Sequence, residues 1–148
     1  MSASAWVQSA EARLAACGHR RGGARRAVLE LLDSQRCALT ALEIEQALRR
    51  SRPGGVSRAS IYRILDELEG LELLRRVQTG QAMVRHEPAR EGPEHHHHHL
   101  VCESCGAVEP FSDPALEREL GRLSERVPLA VAEHEIVLRG TCAQCHVG

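Results

Sequence analysis

Residues 95–105 read HHHHHLVCESC, and a second Cys-x-x-Cys pair, Cys142 and Cys145, returns near the end of the chain. A fold that makes use of both pairs must bring two points together across residues 106–141. Four thiolates arranged tetrahedrally suit one zinc ion. Each pair forms a tight knuckle, and Gly106 directly after Cys105 suits such a turn. A catalytic zinc keeps an open position, whereas four thiolates close the shell. Cys102, Cys105, Cys142 and Cys145 therefore read as a structural zinc site. Two disulfides are the competing reading. It is the weaker one, because no secretory leader is legible and nothing indicates an oxidising compartment. A thioredoxin-like site takes one pair on a strand-to-helix turn, not two distant pairs.

The histidine run is internal and five residues long. A strand over 94–101 points successive side chains to opposite faces. His97 and His99 then share one face, with His95 above them, and His96 and His98 share the other. One short strand thus supplies ligand pairs to two separate sites. The competing reading is a solvated histidine-rich loop that holds metal loosely.

A length of 148 residues suits one ordinary domain or two small ones. All 19 cationic side chains are arginine, and the aromatics are Trp6, Tyr62 and Phe111 alone. Leu, Val, Ile and Ala must therefore build the core. No apolar run approaches the roughly 18 residues of a membrane span. With no leader legible, a cytoplasmic location is expected. The net charge of −1 hides an asymmetry: residues 1–88 hold 14 Arg against 10 acids, and residues 89–148 hold 5 Arg against 10 acids. A basic N-terminal half suits a polyanion such as nucleic acid. The acidic, His/Cys-rich half suits cations. The division falls at PAREGPE, 88–94. The expected organisation is a domain over 1–88, a hinge over 89–94 and a domain over 95–148.

Within the first half, apolar spacing predicts a helix over 6–17, ended by Gly18, and another over 24–34 with Ala27, Val28, Leu31 and Leu32 on one face. Gly22 and Gly23 give the second helix no side-chain cap. Thr40 and Glu43 form a T-x-x-E capping box, opening a third helix with Leu42, Ile44, Ala47 and Leu48 as its apolar positions. SRPGG at 51–55 stops it. Ser57 caps a fourth helix over 58–71, with Ile61, Ile64, Leu65 and Leu68 inward and Arg58, Ser60, Tyr62 and Arg63 on the other face. Strands over 74–78 and 82–87 follow, joined by a turn at Thr79-Gly80. Helices followed by a hairpin give the order of a winged helix-turn-helix. In that motif the last helix enters the major groove, and its N-terminal residues reach base edges. Arg58 and Arg63 then serve phosphate or guanine, and Tyr62 packs on a thymine methyl. The competing reading is a plain solvated helix face.

Four segments, ASIYRILDEL at 59–68, RHE at 85–87, HHHHHLVCESCGAVEPF at 95–111 and EHEIVLRGTCAQC at 133–145, carry a resemblance. From about Gly18 to Cys145 the chain resembles the ferric uptake regulator family of metal-dependent bacterial repressors. The resemblance implies an α+β chain, with a winged helix-turn-helix DNA-binding domain hinged to a small C-terminal α/β dimerisation domain. It implies a homodimer on double-stranded operator DNA, with no catalytic residues. It implies structural Zn(2+) on Cys102, Cys105, Cys142 and Cys145. A regulatory hinge site falls on Glu87, His97 and His99, taking one divalent metal per subunit, Fe(2+), Zn(2+) or Mn(2+). An additional site falls on His96, His98, Glu117 and His134. His19 and Arg20 lie where the family places a basic contact to the DNA backbone or minor groove.

Two positions depart from that pattern. The family's hinge site takes a fourth ligand from the DNA-binding domain, where this chain has Ala38 or, in the zinc-sensing branches, Arg75. Neither can ligate. Cys37 and His86 are the nearby substitutes, or water completes the shell. In the alternative, Cys37 is a small buried apolar residue and His86 packs on the hinge. Cys17 reads as structural, and His146 as a frayed tail residue. The other departure is GGAR at 22–25, where the family commonly shows a Thr-containing cap.

Two other function classes compete. A zinc-dependent metalloenzyme needs an open three-ligand site with a base beside it, and no H-E-x-x-H pattern is present. A metal-storage module binds metal but not operator DNA, which leaves the basic helix without a role.

Overall fold

Side-chain caps and apolar spacing set the first four helices. In this computed structural model, which describes residues 3–80, 83–92 and 95–146, the chain forms two units, Met1–Glu91 and Gly92–Gly148. In the first unit α1 (Ala5–Ala16) is capped by Ser4, whose hydroxyl accepts from the Val7 N–H. It stops at Gly18, whose φ of 82° suits a residue without Cβ. α2 (Gly23–Ser34) begins at Gly22 with no side-chain cap, as expected. α3 (Ala41–Ser51) opens on a complete capping box between Thr40 and Glu43. α4 (Arg58–Gly70) is capped by Ser57.

The four helices bury one shared core. It takes Val7, Ala10 and Leu14 from α1, Val28, Leu29 and Leu32 from α2, Ile44 and Leu48 from α3, and Ile61, Ile64, Leu65 and Leu68 from α4. Each fully buried side chain of this size contributes about 1.5–3 kcal/mol of transfer free energy. One expected core position is wrong. Leu42 is 52% exposed, and Glu45 of the same helix is buried instead. Helical spacing alone admitted Leu42, but the packed face is the one centred on Ile44 and Leu48.

A hairpin follows. β1 (Leu74–Gln78) pairs antiparallel with β2 (Val84–Pro88), from Leu74↔Pro88 to Gln78↔Val84. The expected start of the second strand, Ala82, lies outside the described residues. Leu39, just before α3, bridges to His86 through two backbone hydrogen bonds of 2.9 and 2.7 Å, so the wing is tied to the helical layer. Residues 89–91 belong to the first unit. Ala89 N–H donates to Leu73 O at 2.9 Å, and Arg90 pairs with Asp33 at 2.7 Å. Arg90 also lies over the Trp6 ring, 5.7 Å from its centroid. Pro93 and Glu94 of the expected hinge lie outside the described residues.

The second unit is a three-stranded sheet ordered β4-β3-β5. β3 (His98–Cys102) runs antiparallel to β4 (Val108–Phe111) and parallel to β5 (Val137–Gly140). A parallel neighbour needs a crossover, and α5 (Pro114–Ser124) lies within it. Asp113 caps α5 by accepting from the Ala115 and Leu116 N–H groups, with Pro114 at its start. A single turn, α6 (Ala143–His146), ends the described chain. His146 is part of that turn and not frayed, with its N–H donating to Cys142 O at 2.9 Å. β3 begins at His98, four residues later than expected, and Glu94 is outside the described residues. Among the described residues, no helix is long and apolar enough to cross a membrane.

Candidate metal centres and nucleic-acid interface

The first knuckle closes where β3 ends. Gly106 N–H donates to Cys102 O at 2.9 Å, and Cys102 N–H to Ala107 O at 2.9 Å. Gly106 holds a φ of 76°, a conformation strained for other residues. The second knuckle repeats the pattern, with His146 N–H donating to Cys142 O at 2.9 Å. The two meet: Cys142 N–H donates to Cys102 Sγ at 3.3 Å, and Cys105 Sγ lies 3.8 Å from Cys142 Sγ. All four sulfurs lie within 4.8 Å of one another. A Zn–S length of about 2.3 Å in a tetrahedron sets neighbouring sulfurs roughly 3.8 Å apart, so the cluster has the right size for zinc.

The charges agree with that fit. Backbone N–H groups, foremost that of Cys142, pull the Cys102 thiol down to about 6. The Cys142 and Cys105 side chains push the Cys145 thiol up to about 12. Neighbouring sulfurs thus resist ionising together, and a bound dication removes the conflict. None of the six cysteines is in a disulfide.

On one face of β3 a second donor set converges. His98 is fully buried, and its Nε2 lies 2.7 Å from Glu117 Oε1. The Ile136 N–H reaches its Nδ1 at 3.2 Å, so the ring is held from both ends. Glu117 projects from the first turn of α5, and its other oxygen lies 3.0 Å from His134 Nε2. His96 Nε2 completes the set, 3.0 Å from His134 Nε2. Burial acts to raise the Glu117 pKa. The His98 hydrogen bond and the His134 and His96 rings overcome this and hold the carboxyl below its ordinary value. All four residues expected here, His96, His98, Glu117 and His134, are brought together. Three imidazoles and a carboxylate suit Fe(II), Mn(II) or Zn(II).

His97 and His99 pair on the other face, with ring centroids 5.1 Å apart. His99 is buried, and its Nδ1 lies 3.7 Å from Glu135. The alternation thus survives although His96 and His97 precede the strand proper. Glu87 belongs to the first unit, buried on β2 opposite Arg75.

The two substitute ligands have other surroundings. His86 is buried with Nδ1 2.8 Å from Glu69 of α4, and Arg76 approaches the same carboxylate at 3.7 Å. It therefore packs on α4, not on the hinge, and its strand neighbour Glu87 takes the opposite face. Burial drives the His86 pKa below its ordinary value, against the pull of Glu69. Cys37 is half-buried in the loop before α3, and neither residue joins a donor group among the described residues. Cys17 is exposed at the end of α1.

The proposed recognition face is open. Tyr62 is 52% exposed, and Arg58 and Arg63 are exposed beside it. Ser60 shares a 2.8 Å hydrogen bond with the capping Ser57. Arg20 is exposed, and its carbonyl accepts from Arg25 Nη1 at 2.6 Å. Sequence reasoning missed Glu45, whose buried carboxylate accepts from Arg49 and from Arg58 at 2.7 Å each. The only signal for it was the Glu45–Arg49 spacing of four on a helix.

The profile of the ferric uptake regulator family matches residues 16–139. The Bacillus subtilis ferric uptake regulation protein is 28% identical over 116 residues, covering 78% of this chain and 77% of that protein. The peroxide-responsive repressor PerR of Staphylococcus aureus is 31% identical over 122 residues, covering 82% of this chain and 78% of the repressor. The Helicobacter pylori ferric uptake regulator, whose structure revealed three functional metal-binding sites, superposes with a TM-score of 0.79 at 24% identity. That alignment covers 95% of this chain and 93% of the regulator. Match, motifs and fold agree: the chain belongs to the ferric uptake regulator family of metal-responsive transcriptional regulators.

Proposed function

We propose that this chain is a cytoplasmic repressor that binds double-stranded operator DNA as a homodimer when a divalent metal occupies a hinge site. The observation that carries the reading is the splitting of the histidine run into two facing pairs, His96 with His98 and His97 with His99. One pair is already completed by Glu117 and His134. The other holds buried His99 beside Glu135, and Glu87, buried near the end of the wing strand, is the carboxylate assigned to the same cation.

In this reading Cys102, Cys105, Cys142 and Cys145 hold Zn(2+) and fix the second unit. Glu87, His97 and His99 hold the regulatory Fe(2+), Zn(2+) or Mn(2+), with water or Cys37 completing the shell. His96, His98, Glu117 and His134 form the additional site. The cation supplies coordination bonds that favour one arrangement of the two units over the others. A differential of ~3 kcal/mol in metal affinity between arrangements changes DNA affinity by roughly 150-fold. Arg58, Ser60, Tyr62 and Arg63 present the base-reading end of α4, and Arg20 contacts the backbone. In a two-fold dimer, paired recognition helices read half-sites about 34 Å apart. Leu123, Leu129 and Leu138, exposed in the second unit, support a dimer face there.

The test is operator binding by gel shift across Fe(II), Mn(II), Zn(II) and Ni(II), then after chelation. A metal-dependent shift that Tyr62→Ala removes without changing metal content supports the reading. Metal binding with no operator DNA retained under any of the four metals overturns it in favour of a storage role.

A further inference from the structure

A buried carboxylate facing two arginines in a DNA-binding domain needs an explanation. Glu45 is 6% exposed and lies on α3, whereas its partners Arg49 and Arg58 are largely solvent-facing. Arg49 Nη2 donates to one oxygen and Arg58 Nε to the other, both at 2.7 Å. Isolated surface pairs contribute little, but a buried acid is costly unless its charge is matched. Glu45 therefore keeps at least one arginine on it. Arg58 is the first residue of α4, the end of the helix that reaches base edges in a winged helix. Its bond to Glu45 uses Nε, so the two terminal Nη groups are not consumed. An arginine free at this position loses much rotamer freedom when it binds. Fixing its stem from below reduces that loss.

We propose that Glu45 is a positioning residue for DNA recognition, holding the Arg58 guanidinium in place for a guanine edge at one position of each half-site. This rests on the operator-binding reading above. Glu45 touches no DNA itself. Its effect passes through Arg58, and its role is to sharpen preference at one base position, not to set overall affinity.

The test is a double-mutant cycle on the full-length, metal-loaded protein. Operator affinity is measured for wild type, Glu45→Gln, Arg58→Ala and the pair, against half-sites carrying each base in turn. Arg58→Ala is expected to cost about tenfold in discrimination at one position. Glu45→Gln is expected to cost several-fold at the same position. In the Arg58→Ala background Glu45→Gln should have no further effect, because the path between them is already cut. Glu45→Gln is close to isosteric, and thermal unfolding of each variant reports its folded state. A purely structural role predicts lower stability with base preference unchanged, and would overturn the proposal. So would tighter binding by Glu45→Gln, which would mean that the acid sequesters Arg58. If Tyr62→Ala still weakens operator binding while the Glu45 effect is absent, only this inference fails. If neither substitution matters, the operator-binding reading fails with it.

Discussion

Single side chains decide which atoms are available to a cation. Cys102 shows this: its thiol ionises easily because backbone N–H groups face it, and three more sulfurs stand within reach. Removing it breaks the closed shell and leaves two knuckles with nothing to join. Cys102→Ser is expected to lose one zinc per chain and to dissociate the dimer. Metal analysis with sedimentation checks this, and a zinc-replete dimer would refute the structural role. His86 is a second case. Its lowered pKa means that folding favours the neutral ring. The associated stability is fully present above the unfolded value of 6.5 and is lost as pH falls below it and through the lower folded-state value. An NMR titration of the His86 ring in the zinc-loaded protein is expected to show a midpoint below 6.5. A midpoint at or above that value would mean that the Glu69 carboxylate outweighs burial.

At the scale of elements, the capping box is the clearest link from sequence to stability. The Thr40 hydroxyl accepts from the Glu43 N–H at 3.1 Å, and the Glu43 carboxylate accepts from the Thr40 N–H at 2.8 Å. The same carboxylate accepts from buried Arg85 at 2.8 Å, so the cap also anchors the wing strand. Thr40→Ala is expected to lower unfolding free energy by about 1 kcal/mol, read by denaturant unfolding; no change would mean the cap is idle. Caps, the α4 stripe and β1 were legible because each rests on local spacing. The pairing of His96 with His98 was legible from strand alternation, but its completion by Glu117 and His134 only through the family resemblance, since β3, α5 and the segment before β5 are far apart in sequence. Leu42 was misread and Glu45 missed for a related reason. Periodicity marks a helix as amphipathic, but not which side a neighbouring helix will cover. The Glu45–Arg58 pair depends on α3 packing against α4, which no local pattern encodes.

At the scale of the whole molecule, we assign reading of DNA to the basic first unit and reading of metal to the acidic second unit. The charge asymmetry of the sequence already separates these tasks, and the two units of the structure divide close to the same place. The regulatory claim is that Glu87, His97 and His99 share one cation and that this couples the tasks. The most direct measurement is metal titration of operator binding by wild type and by His97→Ala/His99→Ala, with circular dichroism and zinc content recorded for both. The variant is expected to stay folded and zinc-loaded but to show no metal-stimulated operator binding. A variant that binds the operator with the wild-type metal dependence would contradict the regulatory claim.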